Sequence, residues 1–293
     1  MAVLTRILIR RIDIMLKRII TSLVAVCILV PILFLSHTWV FPIAVAIVSV
    51  VCLFEMFKCM GLDKKLAITI PAYLIALLLP ILQRLNIFGG KVIASATVLA
   101  LVYLVYLFAL VIWSHGKLTY NEIASSALTS IYIVLALNMI LFIRDFNEDG
   151  AFLYLLIFIG AWITDIFAYF TGVFFGKHKL IEDVSPKKTI EGSIGGIVFC
   201  ALSFVALGLV ADIFFDRNAN LIFLAIGGVF ISVIAQIGDL IMSVIKRHYG
   251  IKDYGKIFPG HGGMLDRFDS ILSVTLGVAA MCMVSYIFGI SMM

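Results

Sequence analysis

Four aspartates stand out in the C-terminal half of the sequence because their surroundings are strongly apolar. Asp165 and Asp239 fall inside long apolar runs, and Asp266 and Asp269 lie at the start of another. A carboxylate within a membrane-spanning helix is costly unless it is paired, hydrated or bound to a cation, so each is a candidate functional residue. Residues three apart share a helix face, so Asp266 and Asp269 can act together. Oxygen ligands without neighbouring His or Cys suit a hard cation such as Mg²⁺, although structural ion pairs remain an alternative.

Two polar segments in the same half, 172–196 and 246–269, are rich in Gly, Lys, Asp and His. The run S-P-K-K-T at 185–189 combines two lysines, which suit phosphate groups, with two hydroxyl groups and a turn-forming proline. The run P-G-H-G-G at 259–263 predicts a flexible turn whose backbone N–H groups can approach a phosphate, with a histidine that contacts phosphate or caps the turn. The candidate phosphate contacts in these runs are Ser185, Lys187, Lys188, Thr189, His261, Gly262 and Gly263. Flanking charge of a membrane protein explains either run alone, but both runs beside the acids favour phosphoryl or nucleotidyl chemistry.

The elements that must position these residues are membrane helices. Hydrophobic residues make up 63% of the chain and charged residues 13%, whereas soluble domains are about 45–50% apolar and about 25% charged. We therefore predict an all-α polytopic membrane protein. Its nine predicted spans are 19–36, 39–57, 66–82, 92–113, 127–143, 151–171, 195–215, 220–245 and 270–290. Glu55 ends the second span three residues before Lys58, and we interpret it as one half of a snorkelling ion pair.

The distribution of basic residues predicts the orientation of the spans. With the N-terminus in the cytosol, 18 of the 22 Lys and Arg residues fall on the cytosolic side, as positively charged loops do in membrane proteins. The exceptions are Arg84, Lys91, Arg144 and Arg217. Residues 1–18 form a basic amphipathic pattern, which predicts a helix lying in the membrane interface or simply a topogenic flank. We predict that residues 19–293 form a single transmembrane catalytic domain.

The residues of the two polar segments resemble one known enzyme family. The run S-V-I-K-R-x4-K-D-Y-G-K-I-F-P-G-H-G-G-M-L-D-R-F-D, 243–269, is similar to the signature of phosphatidate cytidylyltransferases, also called CDP-diacylglycerol synthases. The block 165–196, with F-G-K-H-K and S-P-K-K-T-I-E-G, resembles a second conserved segment of that family. A run with so many fixed polar positions is far more specific than a lone Gly-rich motif.

The resemblance implies a reaction and a set of roles. The reaction transfers a cytidylyl group from CTP to phosphatidic acid, gives CDP-diacylglycerol and pyrophosphate, and requires Mg²⁺, with the presence of a second cation left open. Implied metal ligands are Asp239, Asp266 and Asp165; implied catalytic residues are Asp239, Asp266, Lys188 and Asp269. Further implied contacts for the triphosphate or the lipid phosphate are Lys246, Arg247, Lys252 and Arg267. The family also implies a nine-helix homodimer in the membrane, and the distribution of basic residues predicts that the blocks 165–196 and 239–269 face the cytosolic side of the cell membrane.

Two other functions remain open on the sequence. A related membrane enzyme would use CTP to phosphorylate a lipid, or would transfer the cytidylyl group to another lipid acceptor. An ion-coupled transporter would also place carboxylates in its spans, but it predicts acids near the bilayer midplane and paired broken helices. We expect membrane lipids as partners and no nucleic acid.

Overall fold

The computed structural model describes residues 20–21, 23–85 and 92–292, and within them the chain is a series of apolar α-helices. The predicted interfacial segment 1–18 and Lys91 lie outside the described residues. The helices are α1 Leu23–Phe34, α2 Val40–Cys59, α3 Leu66–Arg84, α4 Val92–Trp113, α5 Tyr120–Arg144, α6 Gly150–Leu153, α7 Leu155–Phe175, α8 Ile190–Phe215, α9 Leu221–His248 and α10 Leu265–Phe288.

Eight helical segments in the described chain are long and apolar enough to cross a membrane, with α6 and α7 counting as one. The described part of the first predicted span, α1, is a shorter apolar helix. Large apolar side chains such as Val105, Ile112 and Ile222 are exposed along these helices, as expected of surfaces that face lipid. The prediction of an all-α polytopic membrane protein is therefore confirmed.

Several helices begin earlier than their apolar runs because polar residues cap them. Helix α5 begins at Tyr120 rather than 127, behind a capping box in which Thr119 Oγ1 accepts the Glu122 N–H (3.3 Å) and Glu122 Oε2 accepts the Thr119 N–H (3.0 Å). Helix α8 begins at Ile190 because Thr189 Oγ1 accepts the Gly192 N–H (3.1 Å). Helix α10 begins at Leu265, five residues before the predicted span, so Asp266 and Asp269 both lie on it.

Contacts between helix ends agree with the predicted alternation of the spans. Lys65, before α3, contacts Glu122, in the first turn of α5, with 2.5 Å between Nζ and Oε1. Arg84, at the other end of α3, donates to the carbonyl of His37 between α1 and α2. In each pair the sequence places both residues on the same side of the membrane. Which side is cytosolic stays a prediction.

The packing of the Cα trace divides the chain into two compact units. Unit 1 comprises residues 1–134 and 251–267. Within it, α2 and α3 pack together, and the fully buried side chains include Leu53, Phe57 and Ile68. The prediction that 19–293 form a single domain stays a prediction.

Unit 2, residues 135–250 and 268–293, is built on close packing of α7, α8 and α9. Small residues bring the helices together: a Cβ at Gly196 would meet the Thr164 carbonyl of α7, and one at Gly228 would collide with the Ala201 backbone of α8. A buried hydrogen bond of 2.9 Å joins Thr164 of α7 to Ser232 of α9. The resulting rigid core fixes the next residue of α7, Asp165.

A small hairpin precedes α8 within the polar segment 172–196, where the sequence analysis predicts no strand. Strands β1 Lys179–Ile181 and β2 Ser185–Thr189 pair antiparallel. The predicted turn-forming Pro186 instead lies within β2, where its carbonyl accepts a hydrogen bond from Lys179 Nζ (2.6 Å). The hairpin carries S-P-K-K-T as an extended strand that ends at the cap of α8.

Candidate active site

A tight turn shapes the P-G-H-G-G run in unit 1. The Phe258 N–H donates to the Gly262 carbonyl (2.9 Å), and the His261 N–H donates to the Phe258 carbonyl (2.9 Å). Gly260 and Gly262 have positive φ angles of 81° and 88°, a conformation that glycine adopts at little cost. The turn is predicted correctly, but two N–H groups expected to face a phosphate already have partners: that of His261 donates inside the turn, and that of Gly263 donates to Asp266.

Two buried carboxylates hold the segment around this turn. Asp266 Oδ2 accepts the N–H groups of Tyr254 (2.8 Å) and Gly263 (2.9 Å). Glu55 of α2 accepts the N–H groups of Met264 (3.1 Å, Oε1) and Leu265 (2.8 Å, Oε2). The interpretation of Glu55 as a snorkelling partner of Lys58 is therefore wrong, since its side chain is buried and bonded to the start of α10.

The segment lines an open cavity of about 720 Å³, which we call the loop cavity. Three of its lining side chains are cationic, Lys252, Lys256 and Arg267, and one is acidic, Asp253. The remaining lining residues are Gly255, Phe258, Pro259, Gly260, His261 and Gly262. The structure thus brings together four of the predicted substrate contacts, Lys252, His261, Gly262 and Arg267, in a cavity with an excess of positive charge.

His261 is fixed from outside the segment by Thr21. The Thr21 hydroxyl lies 3.0 Å from His261 Nδ1 and 3.4 Å from the Pro259 carbonyl. The hydroxyl group can bond both atoms and therefore ties the turn to Thr21, which precedes α1 in the sequence. Both predicted roles of His261 remain compatible with this contact, because its ring also lines the cavity.

A second group of charged residues lies in unit 2, and we call Asp165, Asp239 and Asp269 with Lys188 and Lys246 the acid cluster. Helix α10 approaches α9 at Gly238, where a Cβ would collide with the Ser273 side chain. This close approach places Asp269 next to Asp239, and both Asp239 and Asp165 interact electrostatically with the Asp269 carboxylate. Asp165 Oδ2 also accepts a hydrogen bond of 3.3 Å from the Ser270 hydroxyl.

Two lysines balance part of this negative charge. Lys188 Nζ, at the end of the β hairpin, lies 2.5 Å from Asp239 Oδ2, and both side chains are about one-quarter exposed. Lys246 of α9 is buried, with 9% of its surface exposed, and its charge acts on Asp269. Lys187 and Arg247 are exposed. The predicted donors Ser185 and Thr189 lie on β2, and Thr189 caps α8.

The acid cluster contains the oxygen atoms that Mg²⁺ prefers as ligands, because its acids are carboxylates and the Ser270 hydroxyl lies beside Asp165. In the described residues, however, no three His, Cys, Asp or Glu side chains lie close enough to hold a metal ion together. The Lys188 ammonium group already neutralises Asp239. The predicted ligand Asp266 belongs to unit 1, where backbone N–H groups occupy its Oδ2. The three-aspartate metal site therefore stays a prediction.

Sequence reasoning missed two residues of the loop cavity region. Lys256 was passed over although it follows Lys252 by four residues in the same polar segment. Glu55 was misread because its hydrogen-bond partners lie 209 and 210 residues further along the chain. Lys256 could have been found from the density of basic residues, whereas no local pattern points to the partners of Glu55.

Comparison with known proteins gives one consistent result. Residues 16–285 match the model of the cytidylyltransferase family. A Bacillus subtilis protein named phosphatidate cytidylyltransferase is 33% identical over 263 residues, 88% of this chain and 94% of the relative. A Staphylococcus aureus protein of the same name is 34% identical over 259 residues, 88% of this chain and 95% of the relative. A Staphylococcus saprophyticus relative is 44% identical over 134 residues, 46% and 50% of the two chains.

Proposed function

The chain belongs to the cytidylyltransferase family, and we propose from this that it transfers the cytidylyl group of CTP to phosphatidic acid. The products are CDP-diacylglycerol and pyrophosphate, for phospholipid synthesis. The observation that carries the proposal is the family match across 16–285, which includes both polar segments and all the candidate site residues. The relatives named phosphatidate cytidylyltransferase support the choice of the lipid acceptor.

The nucleophile of this reaction needs little activation by the protein. A phosphate monoester has a second pKa of about 6, so the phosphate oxygen of phosphatidic acid is largely anionic at neutral pH. That oxygen attacks the α-phosphorus of CTP in line, a P–O bond forms, and the bond to the pyrophosphate oxygen breaks. No Ser, Cys or Lys nucleophile is required. The task of the protein is to bring two polyanions together and to stabilise the charge on the leaving group.

The loop cavity supplies positive charge for phosphate groups of the substrates. Lys252, Lys256 and Arg267 line it together with Gly260 and Gly262 of the turn, where the absence of side chains lets a phosphate come close to the backbone. Charge-assisted hydrogen bonds from lysine and arginine to phosphate are roughly twice as strong as neutral ones. Lys246, Arg247 and Lys187 remain further candidate contacts.

The metal ligands that we propose are those of the sequence pattern, Asp239, Asp266 and Asp165, with Asp269 beside Asp239. A magnesium ion held by these carboxylates would neutralise phosphate oxygens and reduce the repulsion between the substrates. Lys188 binds the Asp239 carboxylate, and in the substrate complex it contacts a phosphate of CTP. Its ammonium group then stabilises the charge that develops on pyrophosphate.

The location and assembly of the enzyme follow the same proposal. The chain lies in the cell membrane with its polar segments facing the cytosol, where CTP is found, and phosphatidic acid presents its headgroup at the same interface. The excess of Lys and Arg in the loops assigned to the cytosol supports this orientation. We also propose that the enzyme works as a homodimer, as the family resemblance implies.

The experiment that tests the function uses purified protein in detergent–phosphatidic acid micelles with Mg²⁺ and CTP labelled at either the α- or the γ-phosphate. We expect label from the α-phosphate in a lipid product and label from the γ-phosphate in pyrophosphate. Transfer of the γ-label to lipid would instead identify a kinase. Absence of any lipid product with phosphatidic acid would overturn the proposal.

A further inference from the structure

We propose that Glu55 is a positioning residue for the loop cavity: it holds the segment 254–265 in the shape in which the cavity cations meet a substrate phosphate. The proposal rests on the proposed function for the identity of the substrate, but its structural part does not. Glu55 lines no part of the cavity and acts only through the backbone of this segment.

The contacts of Glu55 are those of a clamp. Its side chain is buried, with 2% of its surface exposed, and its two oxygens accept the N–H groups of Met264 and Leu265. The carboxylate also fits against Gly255 and Gly263 so closely that a Cβ at either position would collide with it. The Glu55 side chain therefore lies against both the beginning of the segment, at Gly255, and its end, at 263–265.

Glu55 works together with Asp266. The first N–H groups of an α-helix have no partners within the helix, and a capping side chain usually satisfies only one of them. Here Glu55 accepts two N–H groups at the start of α10, those of Met264 and Leu265, and Asp266 accepts the N–H of Gly263, which precedes the helix. Asp266 also accepts the Tyr254 N–H, on the other arm of the segment. The loop is thus closed by four backbone hydrogen bonds to two buried carboxylates.

Burying a charged carboxylate costs free energy because the group loses its contacts with water, and several hydrogen bonds are needed to offset that cost. The exposed cation Lys58 lies one turn further along α2, over the ring of Phe54. Two backbone N–H groups at the positive end of α10 supply the compensation directly. The consequence is that the geometry of the loop cavity depends on a residue of α2.

The variant that tests the proposal is Glu55→Gln, which preserves the shape of the side chain. Its carbonyl oxygen accepts one N–H group, but its NH2 group faces the other and cannot accept it. The matched control is Glu122→Gln, the same change in a carboxylate of unit 1 that accepts the Thr119 N–H at the start of α5 and does not line the cavity. Both variants are compared with the wild-type protein by hydrogen exchange, thermal unfolding and kinetics.

We expect faster amide exchange in Glu55→Gln at peptides covering 254–265 and unchanged exchange elsewhere, with no such change in Glu122→Gln. Loss of one hydrogen bond to a charged group predicts a rise of about tenfold in the KM for CTP or phosphatidic acid, with kcat changed less. Equal exchange in wild type and Glu55→Gln would overturn the proposal. A general loss of protection with a large fall in Tm would also overturn it, because Glu55 would then stabilise the fold as a whole.

The exchange measurement keeps this proposal separate from the proposed function. If the wild-type protein transfers no cytidylyl group, the proposed function fails, and the exchange of 254–265 still decides whether Glu55 holds the segment. If the wild type is active but Glu55→Gln has faster local exchange and unaltered KM and kcat, the clamp exists and its role in positioning the site is refuted.

Discussion

The loop cavity and the acid cluster both combine carboxylates with basic residues, but they use their carboxylates in opposite ways. Around the loop cavity, Glu55 and Asp266 are buried and accept hydrogen bonds from the backbone. In the acid cluster, Asp239 and Asp165 are bound by side chains, Lys188 and Ser270. A side-chain partner can exchange for a cation at little structural cost, whereas a backbone partner cannot be released without moving the loop.

This difference separates scaffold from reactive group. The acids of the loop cavity hold its backbone, and the cations Lys252, Lys256 and Arg267 line the cavity in which we propose that a substrate phosphate binds. Two acids of the acid cluster remain accessible, since Asp239 is about one-quarter exposed and Asp165 is exposed. By its contacts, Asp266 belongs with the carboxylates that hold the loop backbone. By its predicted role as a metal ligand, it belongs with the acid cluster. Asp266 is therefore the residue that best tests the difference between the two regions.

The largest effects are expected from Asp239→Asn and Asp266→Asn. Both are proposed metal ligands, and the loss of such a ligand removes several kcal/mol of transition-state stabilisation, so we expect kcat/KM to fall by about a thousandfold, equivalent to about 4 kcal/mol. The two variants should differ in amide exchange, which rises at 254–263 only in Asp266→Asn because Asp266 bonds that backbone. Steady-state kinetics and exchange on purified, folded protein measure both effects.

Near-wild-type activity in either variant would show that the aspartate changed in it is not a metal ligand. Faster loop exchange in Asp239→Asn, or unchanged exchange in Asp266→Asn, would contradict the division between scaffold and reactive group. Asp183→Asn, a change in an exposed acid between the two hairpin strands, is the control for loss of a surface charge.

A smaller effect is expected from Lys188→Gln. Lys188 is proposed to stabilise the leaving group, and loss of one such contact predicts a fall of about a hundredfold in kcat. Because its ammonium group also binds Asp239, its removal should let Mg²⁺ act at lower concentration. A titration of activity with Mg²⁺ therefore separates the two effects, with Lys187→Gln, an exposed neighbour on the same strand, as the comparison. An unchanged Mg²⁺ dependence would show that Lys188 does not compete for Asp239.

The fold could be predicted from sequence to the extent that apolar runs determine it. Spans such as 66–82 and 92–113 correspond closely to Leu66–Arg84 and Val92–Trp113. The beginning of α5 was missed although its capping box, T-Y-N-E at 119–122, is visible in the sequence. The hairpin was missed because its strands are only three and five residues long and one contains proline.

The candidate site was predictable in its residue types and less so in its contacts. Acids in apolar runs and basic loops are local signals, so Asp239, Asp269 and Lys252 could be singled out. The pairing of Lys188 with Asp239 joins positions 51 residues apart, and that of Glu55 with Leu265 joins positions 210 apart. Such pairings depend on tertiary packing, which a single sequence does not encode as a local pattern.

The smallest effects are expected from neutralising the cations of the loop cavity one at a time, in Lys252→Gln, Lys256→Gln and Arg267→Gln. Each would remove one proposed charge-assisted contact with a phosphate, so we expect KM to rise about tenfold and kcat to change little. High salt should reduce the difference in KM between each variant and the wild type, since partly exposed charges are screened.

The substrate whose KM rises identifies the phosphate that the cavity holds. Lys58→Gln, outside the cavity lining, is the control. A fall in kcat at constant KM in all three variants would place the loop cavity with the acid cluster in the chemical step and end the distinction between the two regions.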